Sequence, residues 1–136
     1  EAGLAAVRVE LGLPAGAPVP LLVGVSYLGG TLAATKLVTL GVAADNPSLD
    51  GVAIDGVAAP DAEIVVGSEV DVPLSVTAVD SDDVNWLTSC GTMHDFDLPQ
   101  AYLRVEPEDP TSGQLAVVIR DDHGGVAWQV WPIRAE

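Results

Sequence analysis

The chain has 136 residues, 49% of them hydrophobic, with 14 Gly, 10 Pro and a net charge of −15. That length fits one ordinary domain, or one domain and a piece of another, and the apolar content excludes a disordered chain. The charge argues against DNA, RNA and anionic membrane surfaces, whose partners need clustered Lys and Arg. No run approaches the roughly 18 apolar residues of a membrane span.

The charge is uneven. Residues 1–40 hold Glu1, Glu10, Arg8 and Lys36 and sum to zero, so residues 41–136 carry the whole −15. This break in composition predicts a neutral β segment over 1–40, a junction over 41–63 and an acidic domain over 64–136. The chain opens at Glu1 without the basic stretch and apolar run of a secretory leader, which fits a leader absent or already removed. One cysteine, Cys90, allows no intrachain disulfide.

In chain order, residues 4–11 alternate Val7, Val9 and Leu11 against Arg8 and Glu10 and predict a strand. Val19 to Leu28 and Thr31 to Leu40 predict a hairpin turning on Gly29-Gly30. Leu21, Val23 and Val25 share one of its faces, and Leu22 and Leu28 share the other. Strands apolar on both faces are usually covered on both. Three strands in 40 residues form an incomplete unit, either the end of a preceding sandwich or strands completed by another subunit. Leu49 to Val57 predict a short strand or a hairpin around Asp55-Gly56, and Glu63 to Val66 an edge strand.

The strongest pattern follows. Val70, Val72, Leu74, Val76 and Ala78 fall on one side of an extended chain, and Asp71, Pro73, Ser75 and Thr77 on the other. An acidic turn, Asp80-Ser81-Asp82-Asp83, ends this strand, and the next carries Trp86 inward. Residues 92–99 predict a loop. Ala101 to Val105, Leu115 to Arg120 and Val126 to Ile133 predict strands, the last two joined by Asp121-Asp122-His123-Gly124-Gly125. Short strands divided by Gly, Pro and Asp turns predict an all-β fold, an antiparallel immunoglobulin-like sandwich behind a short three-stranded segment. No window shows convincing helical periodicity.

Residues 64–136 resemble PKD-type and related bacterial immunoglobulin-like domains. The resemblance rests on VPLSVTAVDSDDVNW (72–86), SCGT (89–92) and LAVVIRDDHGG (115–125). The Trp-Asp-Phe-Gly-Asp-Gly stretch typical of PKD domains is replaced here by Trp86-Leu87-Thr88-Ser89-Cys90-Gly91. The resemblance implies an extracellular, cell-surface module of bacteria. Such modules serve as spacers, parts of adhesins or units of an assembly, with other copies or other surface proteins as partners.

The chemistry-bearing residues are few. Asp80, Asp82 and Asp83, with Asp121 and Asp122, offer carboxylate oxygens of the kind calcium takes; such turns are more often solvated caps. Cys90, His94, Asp95 and His123 include one Cys-x3-His pair of the type zinc uses, but no second pair of matched spacing. Cys90 also offers an intermolecular disulfide, against the commoner outcome of a buried thiol. No nucleophile elbow or acid–base constellation stands out, so no enzyme is expected. Trp128 and Trp131 are three apart on the last strand and point to opposite faces. One belongs to the core. The other is either covered by another part of the chain or a contact for a neighbouring subunit, or for a glycan. The leading expectation is a non-enzymatic structural or assembly module, possibly a filament subunit. The alternatives are an adhesin or carbohydrate-binding module and an accessory domain of a larger secreted enzyme.

Overall fold

The computed structural model describes residues 2–41 and 45–136, with the side chain of Leu28 outside that set. Two compact units divide the chain. The first comprises Glu1–Asp45 with Asp122–Gly125, and the second Asn46–Asp121 with Val126–Glu136. The predicted junction therefore lies partly inside the second unit, and its residues 42–44 fall outside the described set.

The first unit opens with a helix, α1 (Ala2–Glu10), where the sequence predicts a strand. The reason is local. Ala is the best helix former, and Ala2, Ala5 and Ala6 fill the first turns. The end is a Schellman motif: Gly12 stands at φ 67°, Leu13 N–H donates to the Arg8 carbonyl and Gly12 N–H to that of Val9. Pro14 follows, where a helix cannot continue. The alternation of Val7 and Val9 does not mark a buried face, because both are exposed while Arg8 is buried. Arg8 Nε donates to the Ala17 carbonyl at 2.7 Å, which ties the helix to the approach of the following strand.

That strand, β1 (Val19–Tyr27), pairs antiparallel with β2 (Leu32–Leu40) and with no other strand among the described residues. The register closes at Tyr27 opposite Leu32. The turn is therefore four residues, Leu28 to Thr31, rather than Gly29-Gly30 alone. The segment before the sandwich thus holds one helix and two strands rather than three strands.

The second unit is the predicted β-sandwich. One sheet has the order β4 (Val57–Ala58), β3 (Asp50–Ile54), β6 (Val72–Thr77), β9 (Gln100–Arg104), β8 (Thr92–His94). The other has β5 (Ile64–Val66), β11 (Val126–Ala135), β10 (Ser112–Arg120), β7 (Asp83–Thr88). With the short edge strands β4 and β5 left out, the remaining seven follow in chain order the immunoglobulin arrangement, with first, second, fifth and fourth in one sheet and third, sixth and seventh in the other. The short β5 pairs with the last strand in parallel, the one exception to antiparallel pairing among the described residues. Asp55 and Gly56 turn the β3–β4 hairpin with φ 51° and 73°, the left-handed pair that a two-residue turn requires.

The core comes from the inward face of both sheets. Val72, Leu74 and Val76 of β6 meet Val84 and Trp86 of β7, with Leu103, Leu115, Val117, Ile119, Trp131 and Ile133 around them. Val70 and Ala78, predicted on that inward side, lie beyond the strand's ends; Val70 is exposed and Ala78 partly buried. Trp86 Nε1–H donates to the Leu98 carbonyl at 3.2 Å, so the buried indole keeps a partner. The predicted loop 92–99 begins as a strand, since Thr92–His94 pairs with β9.

Candidate interaction surfaces

The last strand, β11, decides where the sandwich meets its surroundings. Its alternation places Trp131 at 2% exposure, with its Nε1–H donating to the Pro60 carbonyl at 2.8 Å. Trp128 stands on the opposite face at 66% exposure. The two tryptophans are therefore on opposite faces as predicted, and Trp131 is core rather than a contact residue. Its indole satisfies a loop carbonyl.

The outer face of this sheet can be read from its registers. Trp128 lies opposite Val118, which lies opposite Asn85; Val130 lies opposite Ala116, which lies opposite Leu87. Side chains directly opposite in a ladder share a face. Trp128, Val130 and Leu87 are all exposed, Leu87 at 56%. One end of this apolar centre is polar: Arg120 lies opposite Asp83, and Arg120 Nη1 donates to Asn85 Oδ1 at 2.6 Å. The other end is a shallow recess lined by Thr88, Ser89 and Gln114 with Leu87, Ala116 and Val130. An apolar centre with polar margins is the anatomy of an interface. Sequence alternation puts Val130 on the Trp128 face of the last strand but does not by itself reach the neighbouring strands. The signal for the rest was the same alternation, continued through Leu115–Arg120 and Asp83–Thr88.

The β1–β2 ribbon is the second such surface. Its register places Leu21, Val23, Val25 and Tyr27 on one face with Leu32, Ala34, Lys36 and Val38. Leu21, Val23, Val25, Tyr27 and Leu32 are all exposed, and only Val19, at its base, is buried. The other face is mixed: Leu22 pairs with Leu37, but Gly24, Ser26, Thr35 and Thr39 surround them. Lys36 is the chain's only lysine and is exposed.

Cys90 is fully buried in the core, which removes it as an intermolecular disulfide or contact residue. Burial, then the nearby charge of Asp109, pushes its thiol pKa up. Its segment is a crossover between the two sheets. Cys90 N–H donates to Thr88 Oγ1 at 3.0 Å and Gln114 N–H to Ser89 Oγ at 2.9 Å. Gly91 has φ 78°, and a Cβ there would lie 2.4 Å from the Arg104 carbonyl oxygen. The Trp86-to-Gly91 stretch thus serves packing and chain reversal.

The two predicted acidic turns do not merge into one ligand set. Among the described residues the ligand atoms that gather within 4.8 Å are those of Asp121, Asp122 and His123. Asp80, Asp82 and Asp83 stand outside that group. His123 Nδ1 lies 2.6 Å from Asp122 Oδ1 on the same turn. The His94 ring stacks on Tyr102, with centroids 4.5 Å apart and planes 7° from parallel. Elsewhere the guanidiniums are occupied by carboxylates. Arg104 bonds Glu106 and, at 3.1 Å, Asp71, and Arg134 bonds Glu136 and Glu63. These partners hold both arginines above their ordinary pKa, the hydrogen bonds to Glu106 and Glu136 contributing most.

A cleft of about 370 Å³ opens where β4 and β5 leave the sandwich. Ile54, Ile64, Val66 and Val72 line it with Asp55, Glu63 and Asp71, and its lining holds no cysteine, serine, histidine or lysine.

No protein-family model and no curated protein matches the chain. Among solved structures, it is similar to a nucleoside hydrolase-related hypothetical protein from Saccharophagus degradans, described as associated with carbohydrate metabolism. The identity is 10% and the TM-score 0.48, over 62% of this chain and 25% of that one. The chain thus spans about a quarter of that protein's length.

Proposed function

We propose that this chain is a non-enzymatic structural and assembly module of a bacterial cell surface, a subunit or segment of a polymer built from β-sheet contacts. The observation that carries this reading is the β1–β2 ribbon. It has two nine-residue strands, no further strand partner among the described residues, and one face almost wholly apolar and exposed. A two-stranded hairpin is marginal in water, and a third strand or a covering layer is what makes such a ribbon stable. The PKD-like stretches of the second unit agree with an extracellular setting. Light scattering on the purified protein over a wide concentration range tests the reading. We expect the mass to rise with concentration; a monomer under every condition overturns it.

A second reading, an adhesin or carbohydrate-binding module, draws on one observation: an exposed indole, Trp128, beside the hydrogen-bonding pair Asn85 and Arg120. A glycan screen tests it. Binding that disappears in Trp128→Ala supports the reading, and binding indifferent to that change counts against it.

A further inference from the structure

We infer that the ribbon of one copy docks on the outer face of β11, β10 and β7 of a second copy, with Trp128 at the centre of the contact. This rests on the assembly reading and names the partner surface.

The shapes match. Nine residues per ribbon strand span roughly 30 Å, and β10 and β11 have nine and ten residues. Sheets pack face to face about 10 Å apart through apolar side chains that interdigitate. Val23, Val25 and Tyr27 supply those on one side, and Trp128, Val130 and Leu87 on the other.

The charges decide which surfaces meet. The whole −15 lies in residues 41–136, while residues 1–40 are neutral. Packing two Trp128 faces together would oppose two acidic bodies. Packing two ribbons together would bring two Lys36 side chains onto one shared apolar layer. The mixed contact avoids both. It sets Lys36, the only charge on the ribbon's apolar face, against the outer face of the acidic unit, whose polar margin holds Asp83 opposite Arg120. Such a heterologous contact uses two different patches, so it leaves each end of a dimer open and propagates. The footprint of two strands is roughly 300 Å² on each side, below the size of a stable specific interface, so the contact is weak, reversible and concentration-dependent.

A mixing experiment tests this. One variant, Leu87→Ser with Trp128→Ser, removes the acceptor face. Another, Val23→Asp with Val25→Asp, removes the ribbon face. All four side chains are exposed, and circular dichroism checks each fold. We expect the wild type to associate, each variant alone to be monomeric, and their equimolar mixture to form a complex of two chains. An acceptor variant that still associates like the wild type overturns this pairing while leaving the assembly reading intact. A mixture that stays monomeric overturns it too. A wild type that never associates ends both. Lys36→Glu serves as the check should the aspartate variant lose its ribbon. We expect it to weaken wild-type association about fivefold, and an unchanged affinity counts against the charge argument.

Discussion

At the scale of single residues, Cys90 shows how burial converts a reactive group into packing. The thiol is fully enclosed, its backbone N–H is held by Thr88, and Gly91 beside it occupies a left-handed position against the Arg104 carbonyl. Thiolate is the nucleophile, and this site disfavours it. We expect iodoacetamide at pH 8 to leave the native protein unlabelled and to modify one thiol in denaturant; rapid native labelling would show that the crossover opens locally. The same shift makes stability depend on pH. The folded thiol has a raised pKa, so its contribution is intact below the unfolded value of about 8.5. It declines as pH rises from there towards the folded value, because only the unfolded chain then sheds the proton. Thermal midpoints should fall between pH 8 and 10 more steeply for the wild type than for Cys90→Ala. Parallel curves would mean that another group governs the alkaline limb.

At the scale of elements, β11 is where sequence and structure agree best, and α1 is where they part. A period of two was enough to put Trp131 and Trp128 on opposite faces, since an extended chain has no other way to place residues three apart; only the fold shows that Trp131 is the inward one. We expect Trp131→Ala to cost about 3–5 kcal/mol, through the cavity it leaves and the carbonyl of Pro60 it orphans. Trp128→Ala, at an exposed position, should stay within about 0.5 kcal/mol. Urea unfolding of the monomer measures both, and equal losses would mean that Trp128 is covered in the folded chain. The same alternation misled at α1. Val7, Val9 and Leu11 look like one side of a strand, but on a helix they are simply exposed. The stop signal Gly12-Leu13-Pro14 was present and outweighs three alternating residues, because it fixes a left-handed residue and two hydrogen bonds. Most strands of the sandwich, the turn at Asp55-Gly56 and the opposite faces of the two tryptophans were legible; β8 was not, because it is only three residues long and pairs with β9 alone. The neighbours of Trp128 were not, because Asn85, Leu87, Val118 and Arg120 are brought together only by strand register. Sequence spacing does not encode it.

At the scale of the whole molecule, charge sets the terms on which the fold exists. Twenty carboxylates face five basic side chains. Arg104 and Arg134 are each held between two carboxylates, and exposed pairs of this kind contribute little to stability. The unmatched carboxylates repel one another across the sandwich, and that repulsion is relieved when the chain unfolds and its charges separate. Salt acts on both terms. Raising ionic strength from about 0.01 to 0.15 M shortens the screening length from about 30 to 8 Å. Most carboxylate–carboxylate separations across a sandwich fall between those lengths, whereas the ion pairs, at contact distance, are screened less. Repulsion is therefore the term salt removes first. We expect the thermal midpoint to rise with sodium chloride over this range. It should rise further in Asp82→Asn with Asp83→Asn, measured at the lower salt, where two carboxylates of one turn no longer oppose each other. A midpoint that falls with salt would mean that the few arginine pairs outweigh the acidic surplus. Measured at a concentration where the chain is monomeric, the titration separates this intramolecular repulsion from docking between copies. There, salt screens the repulsion between two copies that each carry −15 as well as the attraction of Lys36, and the longer-range repulsion is lost first, so association and stability should both rise with salt.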